Sequence, residues 1–172
     1  MPNKIIDNIK TRVSCREYSD KKVTKAKLLT IAECGKMAPS AVNRQICNIL
    51  IVKNKNYVEK LRKLSIDVRG SDCFYGAKTM MIVYGPKDNR FLYQDASCIL
   101  ENIFLAANSL NINSCWINQV DELLNNPLGR KLKKQLGLNE EDCVVGTAIL
   151  GYKKDETRLV VKERKADFIR IK

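Results

Sequence analysis

Two short runs of this chain place cations or hydroxyls at alternate positions: Arg12-Val13-Ser14-Cys15-Arg16 near its start and Lys162-Glu163-Arg164 near its end. In extended backbone, alternate side chains leave on the same side, so each run can offer a small fork of donors. A guanidinium grips phosphate through two parallel hydrogen bonds and an ammonium acts as a point charge. The chemistry open to these runs is therefore the holding of a phosphate; the bland reading of either one is a solvated charged turn. Other residue types close off other chemistries. The chain contains no histidine, which removes the commonest metal ligand and general base and, with it, zinc sites and nucleophilic triads built on that ring. Seven cysteines (Cys15, Cys34, Cys47, Cys73, Cys98, Cys115, Cys143) are scattered without a CxxC pair and read as reduced thiols, mostly buried as small apolar residues. Chemistry here should come largely from something bound. No metal site and no catalytic side chain is nominated.

The elements that must position these residues follow from periodicity. Ile5, Ile6 and Ile9 recur at helical spacing and predict a first helix ending at the Arg12 run. Thr24 can cap a second helix carrying Leu28, Ile31, Ala32 and Gly35 at i, i+3, i+4, i+7. Pro39-Ser40-Ala41-Val42-Asn43 breaks that pattern and predicts a loop. Ile46 to Val52 has strand length and composition, and Tyr57, Leu61 and Leu64 mark another helix. The run Thr79 to Tyr84 is nearly all apolar, as a strand buried on both faces should be, and Gly85-Pro86 should end it. A long helix is expected from about Tyr93 to Leu110, on the stripe Ala96, Ile99, Leu100, Ile103, Phe104, Ala107 and Leu110. Ser114 to Ile117 is a short strand, Pro127 should open a helix carrying Leu128, Leu132 and Leu136, and Cys143 to Leu150 is a last core strand closed by Gly151. Strands and helices interleave without the regular alternation of a doubly wound fold. The expected architecture is a single α+β domain over residues 1–172, a central sheet flanked by helices.

Composition agrees with one globular unit: 172 residues, 45% hydrophobic and 29% charged. No apolar run approaches the roughly 20 residues needed to span a bilayer, and the start, Met1 to Asp7, lacks the apolar stretch of a signal peptide. The expectation is a cytoplasmic protein without a membrane association. The net charge of +12 invites a nucleic-acid reading. Its 31 basic residues are spread along the chain and its aromatics form no stacking platform, so no nucleic-acid partner is expected. The surplus suits anionic small molecules instead.

Four features in this order resemble the nitroreductase family of FMN-dependent oxidoreductases, in its compact form. They are R-x-S-x-R after a first helix, P-S-A-x-N-x-Q after a second, a long helix with small residues leading into S-C-W-I, and a terminal strand ending at glycine before K-x-R. The likeness runs from about Ile5 to Lys165. It implies an intertwined homodimer with a mostly antiparallel central sheet and FMN at the subunit interface. It places Arg12, Ser14 and Arg16 at the phosphate, the ribityl chain and the pyrimidine edge of the flavin, with Lys162 and Arg164 completing the phosphate grip. It makes Pro39, Ser40 and Asn43 a loop supplied by the partner subunit, and sets Trp116, Ile117 and Asn118 against the flavin ring, with a backbone N–H at N5. Arg69 could assist from its loop.

The activity so implied is oxidoreduction in two strokes. NADH or NADPH visits as a transient donor, and hydride passes through FMN N5 to a small-molecule acceptor: a nitroaromatic, a quinone or a related conjugated compound. The chain has eight glycines and no GxGxxG, so a dedicated dinucleotide fold for the donor is not expected. A flavin-binding or redox-sensing module with little turnover is the alternative, motivated by the unusual residues after Asn43, which depart from the family pattern as some others do. Ile46 and Cys47 stand where proline and an aromatic commonly follow the glutamine, Val13 replaces a common basic residue or histidine, Lys78 a proline and Asn111 a glycine.

Overall fold

Residues 3–163 and residue 170 are described by a computed structural model of the chain. In sequence order its elements are α1 (Lys4–Thr11), α2 (Lys25–Lys36), β1 (Asn48–Val52), α3 (Lys55–Arg69), β2 (Thr79–Pro86), α4 (Leu92–Ser109), β3 (Asn113–Ile117), α5 (Val120–Asn125), α6 (Arg130–Gln135) and β4 (Asp142–Gly151). A three-residue 3-10 turn, Ala41–Asn43, lies between α2 and β1. The strands form one sheet in the order β1-β2-β4-β3. Every neighbouring pair is antiparallel, with Leu50 opposite Ile82, Ile82 opposite Thr147 and Trp116 opposite Ala148. The architecture is the expected α+β sandwich.

Strand β2 shows why. Met80 and Ile82 face a core shared with Leu61, Phe74, Leu123 and Ile149. Met81 and Val83 face the opposite one, built with Ile31, Leu100, Ile103 and Ala148. All four are fully buried, so the near-continuous apolar run does what a strand covered on both faces requires. Helix α4 covers the second face with Leu92, Ala96, Leu100, Ile103, Phe104 and Ala107 buried. α2 packs closely on it at Gly35, where a Cβ would stand 3.0 Å from Ile103 Cγ1 and from Ile49 Cδ1. The helix starts are chemically marked. Asn3 Oδ1 accepts from Ile5 N–H at 2.9 Å, and Thr24 Oγ1 from Lys27 N–H at 3.4 Å.

Four expectations need correction. The cysteines are not mostly buried: Cys15 and Cys115 are, Cys47, Cys73 and Cys143 are half-buried, and Cys34 and Cys98 are exposed. Strand β1 begins at Asn48, because Ile46 and Cys47 are taken up by the loop against Gly85. Strand β2 continues through Gly85 and Pro86, paired with Cys143 and Asp142 after a register shift between Val83 and Tyr84. Pro127 does not open a helix. It sits in a turn in which Asn126 Oδ1 accepts from Leu128 N–H at 3.0 Å, and α6 starts at Arg130. The unforeseen α5 precedes that turn. It is fixed by burial of Val120, Leu123 and Leu124 and by Asp121 Oδ1 accepting from Val144 N–H at 2.7 Å.

Candidate functional site

Helix α1 ends at Arg12, whose backbone turns extended (φ −61°, ψ 125°). The chain then runs alongside the edge strand β3: Ser14 bridges Ser114 in parallel, and Cys15 N–H donates to Ser114 O at 2.9 Å. Cys15 is fully buried while Ser14 is half-buried and Arg16 exposed. That burial pattern turns Cys15 to the core and leaves Arg12, Ser14 and Arg16 on the other side, as alternation requires. The parallel register also carries Arg16 toward the Trp116 end of β3.

The segment is pinned further along. Tyr18 OH donates to Cys15 O at 2.8 Å, Tyr18 bridges Lys153, and Ser19 N–H donates to Tyr152 O at 2.8 Å. Tyr18 lies on the sheet because residue 151 is glycine; a Cβ there would stand 2.7 Å from Tyr18 Cδ1. Burial raises the Tyr18 hydroxyl and the Cys15 thiol above their ordinary values. Both therefore stay protonated at neutral pH and serve packing.

Beyond β4 the chain returns to this segment. Lys154 N–H donates to Glu17 O at 3.3 Å and Thr157 Oγ1 to Glu17 Oε2 at 2.6 Å. Residues 154–157 thus lie beside Glu17, next to the Arg12–Arg16 run. Lys162 follows five residues later and is exposed; Arg164 lies outside the described residues. Among the described residues neither Arg12, Arg16 nor Lys162 forms an ion pair with a carboxylate. The Arg16 guanidinium stands 5.9 Å from the centroid of the Tyr75 ring. Arg69 is different: at the end of α3 it pairs with Glu122 at 2.7 Å, which commits it elsewhere.

At the end of β3, Trp116 rests on Gly146, where a Cβ would stand 2.7 Å from its indole, and tilts against Phe104 with ring centroids 6.0 Å apart. Ile117 is buried in the core beneath. Asn118 is exposed and its N–H donates to Gln119 Oε1 at 3.1 Å.

Pro39, Ser40 and Asn43 are not brought to this cluster within one chain. Their loop leads into β1, at the opposite edge of the sheet from β3. Three strand spacings of about 4.8 Å separate those edges. The loop holds Val42, Asn43 and Gln45 at φ 49°, 54° and 51°, a region in which a β-branched residue is an outlier. Sequence reasoning missed the residue that anchors it. Asp95, buried in the first turn of α4, accepts from Ala41 N–H at 2.9 Å through Oδ1. A lone acidic residue near the start of an apolar helix was the available signal, and it gives no hint of a partner 54 positions away.

Among solved structures, a nitroreductase from Bacteroides fragilis with bound FMN matches 99% of this chain and 99% of its own at a TM-score of 0.91 and 32% identity. One from Desulfitobacterium hafniense with bound FMN matches 99% of each chain at 0.87 and 26%. The nitroreductase family model matches residues 9–68 and 67–152. The chain belongs to the nitroreductase family. A relative from Archaeoglobus fulgidus, provisionally named an NADH dehydrogenase/NAD(P)H nitroreductase, is 32% identical over 155 residues, 86% of this chain and 84% of its own. The family model's matched segments span α2 through β4 and take in the Arg12–Arg16 run and the 39–43 loop.

Proposed function

We propose that this nitroreductase-family protein is a homodimeric FMN-dependent NAD(P)H oxidoreductase. It would pass reducing equivalents by a ping-pong cycle to a nitroaromatic, a quinone or a related conjugated acceptor. The FMN bound by the Bacteroides fragilis relative supports the cofactor, and the name of the Archaeoglobus fulgidus relative supports the donor. One observation of this chain carries the reading. The Arg12–Arg16 segment is docked on β3 with Cys15 buried, leaving two guanidiniums and a hydroxyl outward with no carboxylate neutralising them among the described residues.

That donor set fits a phosphate monoester, which carries close to two negative charges at neutral pH. Arg12 and Ser14 would hold the phosphate and ribityl chain, with Lys162 and Arg164 adding charge from the returning tail. Arg16 would hold a cation at the pyrimidine edge, where reduction places negative charge, and so favours it electrostatically. Trp116, Ile117 and Asn118 would set the flavin plane. When bound, FMN supplies the hydride acceptance at N5 and the electron release that no side chain here can perform.

Two copies complete the site in this reading. Pro39, Ser40 and Asn43 sit across the sheet from the cations and would reach them from a partner. Helix α1 supports the pairing. Its polar side docks on α4, with Asn8 Nδ2 donating to Leu105 O at 2.9 Å and Asn108 Nδ2 to Asn8 Oδ1 at 2.9 Å. Ile5, Ile6 and Ile9 are left exposed, Ile5 to 71%. An inverted amphipathic helix of this kind marks an interaction face. The test is to incubate the purified protein with FMN and follow NADH or NADPH consumption with a quinone. A flavin spectrum retained on desalting and steady donor oxidation are expected; a protein that takes up no flavin would refute the reading.

A further inference from the structure

We infer that Asp95 is a positioning residue for this chemistry: from the first turn of α4 its carboxylate holds the 40–45 loop in the strained shape that offers Ser40 and Asn43 to the cofactor of a second copy. This rests on the reading above. Three non-glycine residues in the left-handed region within four positions persist only where the surroundings over-determine them. Most of the hydrogen bonds there are internal to the loop. Asn43 N–H donates to Ser40 O at 3.0 Å, Arg44 N–H to Ala41 O at 3.1 Å, Gln45 N–H to Ser40 Oγ at 3.0 Å and Gln45 Nε2 to Asn43 Oδ1 at 2.9 Å. Those bonds shape the loop but move with it, so they cannot place it.

Placement comes from contacts with the body of the fold. At the loop's near end Ala41 N–H donates to Asp95 Oδ1. At its far end Cys47 Sγ donates to Leu92 O at 3.9 Å, and a Cβ on Gly85 would stand 3.1 Å from Ile46 O and 2.9 Å from Leu92 Cδ1, so only glycine lets that end lie down on β2. Between these fixed points Val42 projects outward, 81% exposed, at a strained φ of 49°. An exposed, strained tip gains nothing within its own chain, and a loop built for presentation accounts for it.

The acceptor is suited to the task. Asp95 is 4% exposed, so its side chain is fixed by its surroundings and its oxygen is a well-placed acceptor for the Ala41 N–H. Its other oxygen, Oδ2, has no hydrogen-bond partner among the described residues. Asp95 also lines a recess of about 350 Å³ together with Ser40, Gln45 and Cys47. Leaving a carboxylate oxygen buried and unsatisfied is unfavourable. The residue is therefore poorly explained as core packing and better explained by what Oδ1 holds.

The experiment compares wild type, Asp95→Ala, Asp95→Asn and Ala41→Pro in two readouts: FMN affinity by fluorescence quenching, and the rate of limited tryptic cleavage after Arg44 in the apoprotein. Asp95→Ala should weaken FMN binding and speed the cut at least about tenfold, the scale of a donor left without its acceptor. Asp95→Asn keeps an acceptor for Ala41 and should stay within about threefold of wild type in both. Ala41→Pro removes the donor at a half-buried loop position and should weaken FMN binding as Asp95→Ala does. Wild-type behaviour of Asp95→Ala or Ala41→Pro would overturn the inference. So would an Asp95→Asn variant as impaired as Asp95→Ala, since a retained acceptor would then have rescued nothing. The cleavage arm needs no cofactor. A wild-type chain that binds no FMN would sink the reading above and the functional half of this inference, while the cleavage rates still decide the tether.

Discussion

Arg12 and Arg16 are held at fixed places by neighbours that do no chemistry. Cys15 anchors the backbone between them, and Gly151 leaves room for the Tyr18 ring that hydrogen-bonds back to it. Removing either cation should therefore cost binding rather than folding. Arg12→Ala and Arg16→Ala should each weaken FMN affinity by about 1.5–3 kcal/mol, the usual range for bonds to charged groups, with the thermal midpoint nearly unchanged. Fluorescence titration beside calorimetry checks both halves. Gly146→Ala should behave oppositely. Its Cβ would stand 2.7–2.8 Å from the Trp116 indole and Leu100 Cδ1, so overpacking of about 1–3 kcal/mol should appear in the melting curve. Residue types were legible from the sequence at the cationic run, because alternation plus absent histidine narrows the chemistry. Asp95 was not, since nothing local in sequence distinguishes an N-terminal helix charge from a tether.

At the scale of elements, α1 reverses the usual rule. Its apolar spacing reads correctly as a helix, yet Ile5, Ile6 and Ile9 face outward while Asn8 faces α4. Periodicity fixes that a face is apolar and cannot say whether this chain or another covers it. Ile5→Glu with Ile9→Glu should shift the particle from two chains to one on light scattering. FMN retention should fall with it, because the 39–43 loop of one copy would no longer reach the cations of the other. An unchanged mass would argue against α1 as part of the pairing face. The element boundaries that were misread share a cause. Pro127 and Gly85-Pro86 are local signals, and tertiary packing overrode both: the first was absorbed into a turn against α5, the second into β2–β4 pairing.

For the whole molecule, burial of thiols and a phenol sets the response to alkali. Burial raises the Cys15 thiol and the Tyr18 hydroxyl, and pushes the Cys47 thiol up to about 11 from 9.0. Each acid is held neutral by the fold, so its contribution is complete below the unfolded value and is lost as pH rises through the folded one. Stability should decline as pH climbs from 9.0 toward about 11 for Cys47, with Cys47→Ser flattening part of that slope in thermal melts taken across the range. A midpoint independent of pH there would contradict the buried thiol. The order of elements was readable from hydrophobic period, but the opposite placement of the 12–16 run and the 39–43 loop depends on strand order, which period does not encode.

Among the described residues no helix is long and apolar enough to cross a membrane. Sedimentation equilibrium of the FMN-incubated protein, followed at the flavin's own visible absorbance, reads cofactor and assembly in one trace. The account predicts flavin sedimenting with twice the mass of the chain and one FMN per chain. Flavin that stays at the mass of free FMN, or that travels with a single chain, would contradict it.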